Sequence, residues 1–391
     1  MTNTANFLPI CCVQPVANVR QSWVSLMFHL PPQQAFSTLL PWLTGEQGFL
    51  AKVPSVTLLI PCADPFAINP SDLDQVPNGR IILLIPPACC DQANVEEHLR
   101  SLQVAGVRFM LDGCVPSHVQ PPLPIAAMLL RCGHGELGKA RETMRKLNGL
   151  HCAIEIENSS RLGDCRAASF SWFAGDFMLQ PGATKDDGTS RARLLRLLAL
   201  VERDADIREL ETLLKQDMSL SFHLLKLVNS AAFAPATPIT SFSQAINVLG
   251  RRQLQRWLQL LLYARPLEVG HANPLMPLAA LRASLMEGLC AASGGDRATQ
   301  DQAFIVGMFS LLHLVIGTAL SDVISALKLE DVVAQALLKQ TGPLGDLLKA
   351  VEQLTRQEVA PDLSHFHISA EEYWPAMIKA YHWATVVLQD S

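Results

Sequence analysis

The chain has 391 residues, of which 49% are hydrophobic and 17% are charged, and its formal net charge is −5. This composition excludes a disordered chain, and the length allows two separate cores. The charge divides as −2 over residues 1–183 (12 basic, 14 acidic) and −3 over the rest (19 basic, 22 acidic). Neither part therefore predicts a basic surface for nucleic acid.

The cysteines and the N-terminal residues indicate the cellular compartment in which the protein is expected. Nine of the ten cysteines precede residue 166, and none lies in a CxxC pair. This pattern argues against a zinc site and against a secreted disulfide framework, and it favours buried, reduced thiols. The first residues lack a basic region and a long apolar run, so no signal peptide is predicted and we expect a cytoplasmic protein.

Residues 1–183 contain short apolar runs bounded by proline, glycine and asparagine, which predict buried strands. Helical patterns lie between them at 33–42, 95–105 and 136–147. This alternation predicts an α/β layer or barrel. The predicted strands are 8–16, 24–30, 56–60, 81–85, 108–111, 125–130 and 153–156.

The stretch PGATKDDGTS at 181–190 concentrates glycine, proline and small polar residues, which is typical of a linker. We therefore predict one domain at 1–183, a linker at 184–190 and a second domain at 191–391.

Apolar residues after the linker recur at helical spacing, which predicts an all-α domain. Gly250 predicts a break after one helix, and Ser369 with Glu372 predicts a capping box at the last helix. The apolar run 304–320 is marginally short for a bilayer, so we expect a buried central helix and no membrane insertion. Further helices are predicted at 191–203, 278–292, 331–339, 343–355 and 369–388.

Two segments of this half, KQDMSLSFHLLKLVNSAAF and ITSFSQAINVLGRRQLQRW, occupy 215–233 and 239–257. With the fixed points Asp217, Asn229, Ser230 and Gly250, they resemble the HDOD domain of bacterial signalling proteins. The resemblance implies an all-helical fold related to the HD phosphohydrolases, usually without their metal ligands.

Three groups of residues in the first half carry a second resemblance: VQPV at 13–16, SLQVAGVRFMLDG at 101–113, and IEIEN with FAGDFMLQP between 154 and 181. They resemble the EAL domain, a TIM-type barrel that hydrolyses cyclic di-GMP, in a degenerate form. A complete barrel of this type takes about 250 residues, so we expect a shortened one that has lost strands or helices. The order of the halves resembles the EAL-HDOD tandem signalling proteins.

The EAL resemblance implies two metal ions held by several carboxylates and an Asn. Asp112 and Glu157 are the surviving carboxylates, and Arg131 is the nearest match to a Lys of the sixth strand. Two carboxylates do not suffice for two ions, so we expect no catalysis, no metal and no cofactor. The other family positions hold Phe28-His29-Leu30, Pro61, Leu83-Leu84, Gly113 and Ala174.

His313 occupies the place where HD enzymes carry adjacent His and Asp ligands, but Leu314 follows it. One imidazole does not form their metal site, so we expect a core histidine that donates to a helix carbonyl.

Arg251, Arg252 and Arg256, beside Trp257, form the most concentrated basic feature of the chain. Two interpretations stay open: a contact for an anion or acidic partner, and a solvated face whose aliphatic stems cover Trp257. On the first interpretation, Arg252→Glu with Arg256→Glu is predicted to weaken partner binding and leave the fold intact.

The sequence thus leads to a non-catalytic signalling or adaptor protein that binds unidentified signalling proteins, with a homo-oligomer possible. The resemblance implies a link to cyclic di-GMP regulation of motility or surface attachment. Two alternatives stay open: a cyclic di-GMP phosphodiesterase, and a protein that binds the nucleotide without cleaving it.

Overall fold

A computed structural model describes residues 10–31, 36–132, 137–180, 195–200, 205–206, 209–210, 212, 242–263, 273–316, 319–327, 329–356 and 359–389. In these ranges the chain forms a barrel followed by a set of helices. Asp217, Asn229, Ser230 and the predicted linker lie outside them.

Eight strands close into one barrel in chain order. The first strand runs antiparallel to both of its neighbours, and all other adjacent strands are parallel. The strands are β1 (Cys12–Asn18), β2 (Trp23–His29), β3 (Thr57–Pro61), β4 (Ile81–Ile85), β5 (Arg108–Asp112), β6 (Ile125–Arg131), β7 (Cys152–Ile154) and β8 (Trp172–Phe173).

All seven predicted strands are confirmed, and the two-residue β8 completes the barrel. Alternate side chains point inward and form an apolar core, because successive residues of a strand face opposite sides. The intervening side chains pack outward against helices. The inward core consists of Val16, Met27, Leu59, Ile82, Leu84, Met110, Ala127, Leu129, Cys152, Ile154 and Ala174.

The barrel is short in helices rather than in strands. The connections from β3 to β4 and from β5 to β6 are fully described and contain no α-helix, so the expected loss falls on these two segments. The helices of this half are α1 (Leu40–Leu43), α2 (Phe49–Lys52), α3 (Val95–Val104), α4 (Leu137–Met144) and α5 (Ser159–Ala167).

The second half is helical wherever it has regular structure in the described residues. Its helices are α6 (Phe242–Leu261), α7 (Leu275–Ala292), α8 (Arg297–Phe309), α9 (Leu312–Ile316), α10 (Leu320–Leu327), α11 (Asp331–Lys339), α12 (Gly342–Arg356) and α13 (Ala370–Gln389). The capping box before α13 is confirmed: the Ser369 amide donates to Glu372 at 2.9 Å, and the Glu372 amide donates to Ser369 at 3.3 Å.

The expectation of one central helix over 304–320 is wrong, because a turn at Ser310 and Leu311 interrupts the helical structure between α8 and α9. α7 is the helix that is long and apolar enough to cross a bilayer by length and composition, within the described residues. Its 18-residue window is 83% buried inside the protein, which is typical of a core helix.

The helical half supplies hydrogen bonds at the seam of the barrel, which is the junction between β1 and β8. β1 pairs with β8 only at Ala17 and Asn18. Nearer its start, the carbonyl oxygens of Cys11 and Val13 accept hydrogen bonds from the hydroxyls of Tyr373 (2.5 Å) and Tyr381 on α13. Polar backbone groups that a barrel strand would satisfy are thus satisfied by tyrosines of the other half.

Candidate functional site at the barrel mouth

The candidate site lies where the parallel strands end. Enzymes built on TIM-type barrels carry their active sites at the carboxyl ends of the strands. We define the mouth by six residues at this end of the barrel: His29 at the end of β2, Asp112 at the end of β5, Arg131 at the end of β6, Glu155 after β7, Asp176 after β8 and Cys12 at the start of the antiparallel β1. The first three follow inward-facing residues by two positions, so their side chains point toward the barrel axis.

Arg131 holds two carboxylates of the mouth. Its Nη1 pairs with Oδ1 of Asp112, and its Nε lies 3.5 Å from Oε1 of Glu155. The side chains of Arg131, Asp112 and Glu155 are 40%, 20% and 39% exposed. Among the described residues, the site is therefore a solvent-accessible cluster that includes the cation Arg131 and the anions Asp112 and Glu155.

Backbone conformation brings Glu155 to this cluster. Strand alternation would turn Glu155 away from the axis, because Ile154 points inward. Glu155 has φ = 58°, a left-handed value that few side chains adopt, and this turn ends β7. A position where backbone strain and function coincide is a candidate for a functional role.

Glu157, the second carboxylate expected from the sequence, is exposed and makes no ion pair with Asp112 or Arg131 among the described contacts. Its carbonyl oxygen accepts a hydrogen bond from Gln180 at 3.4 Å. The IEIEN motif therefore contributes its first glutamate, not its second. Two glutamates at a strand end were the available signal, but alternation alone favoured neither.

The residues of the mouth do not fit the two metal ions that the EAL resemblance implies. In the described part of the chain, no group of three or more His, Cys, Asp and Glu is placed to hold a metal. The guanidinium of Arg131 also lies between the two carboxylates, where it would repel a divalent cation.

Helix α12 reaches the mouth from the helical half. The Cys12 thiol donates to the carbonyl oxygen of Gln353 at 3.4 Å. Arg356, the last residue of α12, donates from Nε and Nη2 to the two carboxylate oxygens of Asp176 at 3.1 and 2.7 Å. Asp176 follows Gly175, where a Cβ would lie 2.3 Å from the Ile156 amide nitrogen, so only glycine fits.

Glu352, one helical turn before Arg356 on α12, pairs with a buried arginine. Arg282 on α7 is 1% exposed, and its Nη1 donates to Glu352 at 2.8 Å and to the Ser310 hydroxyl at 3.1 Å. Gln340 donates to the other oxygen of Glu352 at 3.1 Å. Glu352, Gln353 and Arg356 thus connect the core of the helical half with the barrel mouth.

His313 lies close to this pair, and its ring hydrogen-bonds to the Ser310 backbone carbonyl, as expected. The residue is exposed, so the expectation of a core position is wrong. The residue is the second residue of the short α9, which begins directly after the turn at Ser310 and Leu311. The buried charge near the HD-like position belongs instead to Arg282, which the sequence analysis did not single out. Leucines and alanines surround Arg282 in the sequence, so a buried charge there had no periodic signal.

The arginines after Gly250 face other parts of the helical half. Arg252 and Arg256 both pair with Glu287 on α7, at 2.7 and 2.6 Å, and both also pair with Asp301 on α8. The Arg256 guanidinium lies 3.9 Å from the centre of the Phe304 ring. These residues hold α6 against α7 and α8, so the interpretation as a freely solvated face is wrong.

Trp257 is buried, at 7% exposure, and the Arg251 side chain lies outside the described part of the chain. Gly250 is confirmed as a break: with φ = 72° and ψ = 159° it kinks α6. Whether the arginine cluster also binds a partner stays a prediction.

The helical half is similar to a known protein family. Residues 191–365 match the family model of the HDOD domain. The second half carries an HDOD domain. Its buried Arg282–Glu352 pair and its kinked α6 both belong to the matched range.

Two curated relatives match a 238-residue stretch, 59% of this chain. One is the Cyclic di-GMP phosphodiesterase CdgJ of Vibrio cholerae, 29% identical, with 55% of its length covered. The other is the uncharacterized protein YuxH of Bacillus subtilis, 26% identical, with 58% covered. The chain therefore spans little more than half the length of these relatives. The expectation that this chain is not an enzyme is contradicted by the first comparison, because that relative is named for an enzymatic activity.

Solved structures of EAL domains are similar to part of the chain. The EAL domain of Mycobacterium smegmatis DcpA is 13% identical, with a TM-score of 0.35, over 42% of this chain and 89% of that chain. The FimX EAL domain of Pseudomonas aeruginosa bound to c-di-GMP is 12% identical, with a TM-score of 0.32, over 43% of this chain and 88% of that chain.

Proposed function

We propose that this chain acts in cyclic di-GMP signalling, with the barrel mouth as the responsive site and the HDOD domain as the part that passes the signal to another protein. The name of the Vibrio cholerae relative supports the nucleotide. The observation that carries the proposal is α12, which contacts the mouth through Cys12 and Asp176 and the helical core through Arg282.

The chemistry of the mouth makes Arg131 the residue that a phosphodiester would contact. A guanidinium presents paired N–H donors that match phosphate oxygens. Here those donors face Asp112 and Glu155, so the nucleotide has to compete with two carboxylates. Binding would release at least one carboxylate and change the charge at the end of the barrel that α12 contacts.

A second candidate function is hydrolysis of cyclic di-GMP, which the name of the same relative favours. Two carboxylates, Asp112 and Glu155, lie at the end of the barrel where such chemistry is performed. A carboxylate freed from Arg131 could accept a proton from an attacking water.

The test is incubation of the full chain with cyclic di-GMP, with product measured by chromatography in the presence of Mg²⁺ or Mn²⁺, and binding measured by calorimetry. Hydrolysis that Asp112→Asn abolishes would support the second function. Saturable binding that Arg131→Met abolishes, and that the control Arg100→Met on the outer face of α3 keeps, would support the mouth as a nucleotide site. Neither binding nor turnover would overturn both uses of the mouth.

A further inference from the structure

Two cysteine thiols face each other beside the mouth. Cys132 directly follows β6, and Cys165 lies in α5, the helix after β7. Their sulfur atoms are 3.6 Å apart, and the residues are 2% and 0% exposed. A disulfide has a sulfur–sulfur bond of about 2.05 Å, so the two atoms need to approach by about 1.5 Å to join.

Arg161 places a positive charge beside the pair. It lies one helical turn before Cys165, and its Nε and Nη2 donate to the Cys132 carbonyl oxygen at 3.2 and 3.0 Å. The hydrogen bond between the thiols, aided by the charge of Arg161, lowers the pKa of Cys165. The same hydrogen bond and burial raise the pKa of Cys132. One sulfur is therefore favoured as a nucleophilic thiolate, and the other keeps its proton.

We propose that Cys132 and Cys165 form a redox-active dithiol that a peroxide converts to a disulfide. The Cys165 thiolate attacks one peroxide oxygen, and the O–O bond breaks. The products are a sulfenic acid on Cys165 and a hydroxide ion, which departs as the leaving group. Cys132 gives its proton to this hydroxide, and its sulfur attacks the sulfenic sulfur. The S–O bond breaks, and the departing hydroxide takes up the proton first lost by Cys165. Two thiols and one peroxide thus yield one disulfide and two waters.

The position of the pair connects this chemistry to the mouth. Cys132 is the neighbour of Arg131 in the chain, and its amide donates to the Ile154 carbonyl at 2.9 Å, next to Glu155. A movement of the Cys132 sulfur toward α5 pulls on the backbone that positions Arg131 between its carboxylates. Oxidation is therefore expected to alter the mouth. This inference does not depend on cyclic di-GMP.

The test uses the native full chain, treated with hydrogen peroxide, alkylated after unfolding and digested for mass spectrometry. We expect a peptide that links Cys132 to Cys165, with the loss of two hydrogens, and its disappearance on reduction with dithiothreitol. Cys165→Ser should abolish the link, and Cys290→Ser, which removes a buried thiol of the helical half, should keep it. A wild-type chain whose two cysteines stay alkylatable after peroxide would overturn the proposal without any variant.

A second readout addresses the mouth. Amide hydrogen exchange, followed in the reduced and the oxidised wild-type chain, should differ in the segments around Arg131 and Glu155 and agree in α7. Identical exchange around the mouth in both states would show that the disulfide, where it forms, does not reach Arg131.

Discussion

At the residue scale, three charged side chains form ion pairs at the mouth, and the backbone conformation at each residue decides whether its side chain reaches the other two. Asp112 and Arg131 end neighbouring strands and point to the same side, since register and alternation agree. Glu155 joins them because its left-handed backbone breaks the alternation. The positive charge that faces the two carboxylates is a guanidinium, which has no coordination positions to offer, whereas the EAL resemblance implies divalent metal ions.

A buried histidine below the mouth predicts a pH dependence of stability. His151 is 7% exposed, and its Nδ1 accepts a hydrogen bond from the Met128 amide at 3.3 Å. Burial lowers its pKa, so the unfolded chain binds the proton more readily than the folded chain. Stability from this residue is complete above the unfolded pKa of about 6.5 and is lost as pH falls toward the folded pKa.

The free energy of unfolding, measured in urea between pH 8 and 5, should fall with pH in the wild type and fall less in His151→Gln, which keeps an acceptor but does not titrate in this range. The exposed His118→Gln is the control and should keep the wild-type slope. Equal slopes in wild type and His151→Gln would contradict the assignment.

At the element scale, α6 shows how one glycine and two arginines place a helix. Gly250 turns the helix with a backbone conformation reserved for glycine, and the segment after the turn carries Arg252 and Arg256 to α7 and α8. Glu287 receives both guanidinium groups although its side chain is 8% exposed. A buried carboxylate in this setting requires its partners.

The kink predicts the effect of Gly250→Ala. A Cβ at this position meets no atom within 4 Å, so the loss comes from backbone strain alone, about 1–3 kcal/mol. Gly163→Ala in α5 is the matched control, because it is also free of contacts but has an ordinary helical backbone. It should stabilise by about 0.5–1 kcal/mol. Chemical denaturation of both variants checks the two signs, and an equal effect would contradict the strain.

The arginine cluster predicts a loss of stability that differs from the expectation drawn from the sequence. Arg252→Glu with Arg256→Glu would bring four carboxylates together around Glu287 and Asp301, and we expect a loss of about 2 kcal/mol or more. Arg100→Glu reverses an exposed helix pair with Glu96 and should change stability by about 0.5 kcal/mol or less. Thermal unfolding of both variants decides the matter. An unchanged double variant would restore the interpretation as an exposed partner surface.

At the scale of the whole molecule, the two halves share one interface across the seam of the barrel. Trp374 on α13 is fully buried and stacks on Phe28 and Trp42 of the barrel half, with ring centres 6.3 and 5.9 Å away. Tyr373 and Tyr381 satisfy the carbonyls of Cys11, just before β1, and of Val13 within it, and α12 contacts Cys12 at the start of the same strand. Because each half covers groups that the other leaves open, we expect them to unfold together.

Calorimetry should therefore show a single transition for the wild type. Tyr381→Phe leaves the buried Val13 carbonyl without its donor and should lower stability by about 1–3 kcal/mol. Tyr263→Phe removes a comparable bond, to Met308 at 2.5 Å, within the helical half alone. Trp374→Ala should separate the transitions of the two halves, and Tyr263→Phe should not. Two transitions in the wild type would contradict a shared unit.

The sequence by itself determined the local features: seven of eight strands, the capping box at Ser369, the kink at Gly250 and the HDOD match over the second half. These follow from period, capping and backbone freedom, which act over a few residues. Only the tertiary structure decided that Glu155 rather than Glu157 joins Asp112, that Arg252 and Arg256 pair with Glu287, and that α12 closes on the mouth. Each depends on groups far apart in the chain, whose meeting is set by strand register, one positive φ and helix packing that no local pattern records.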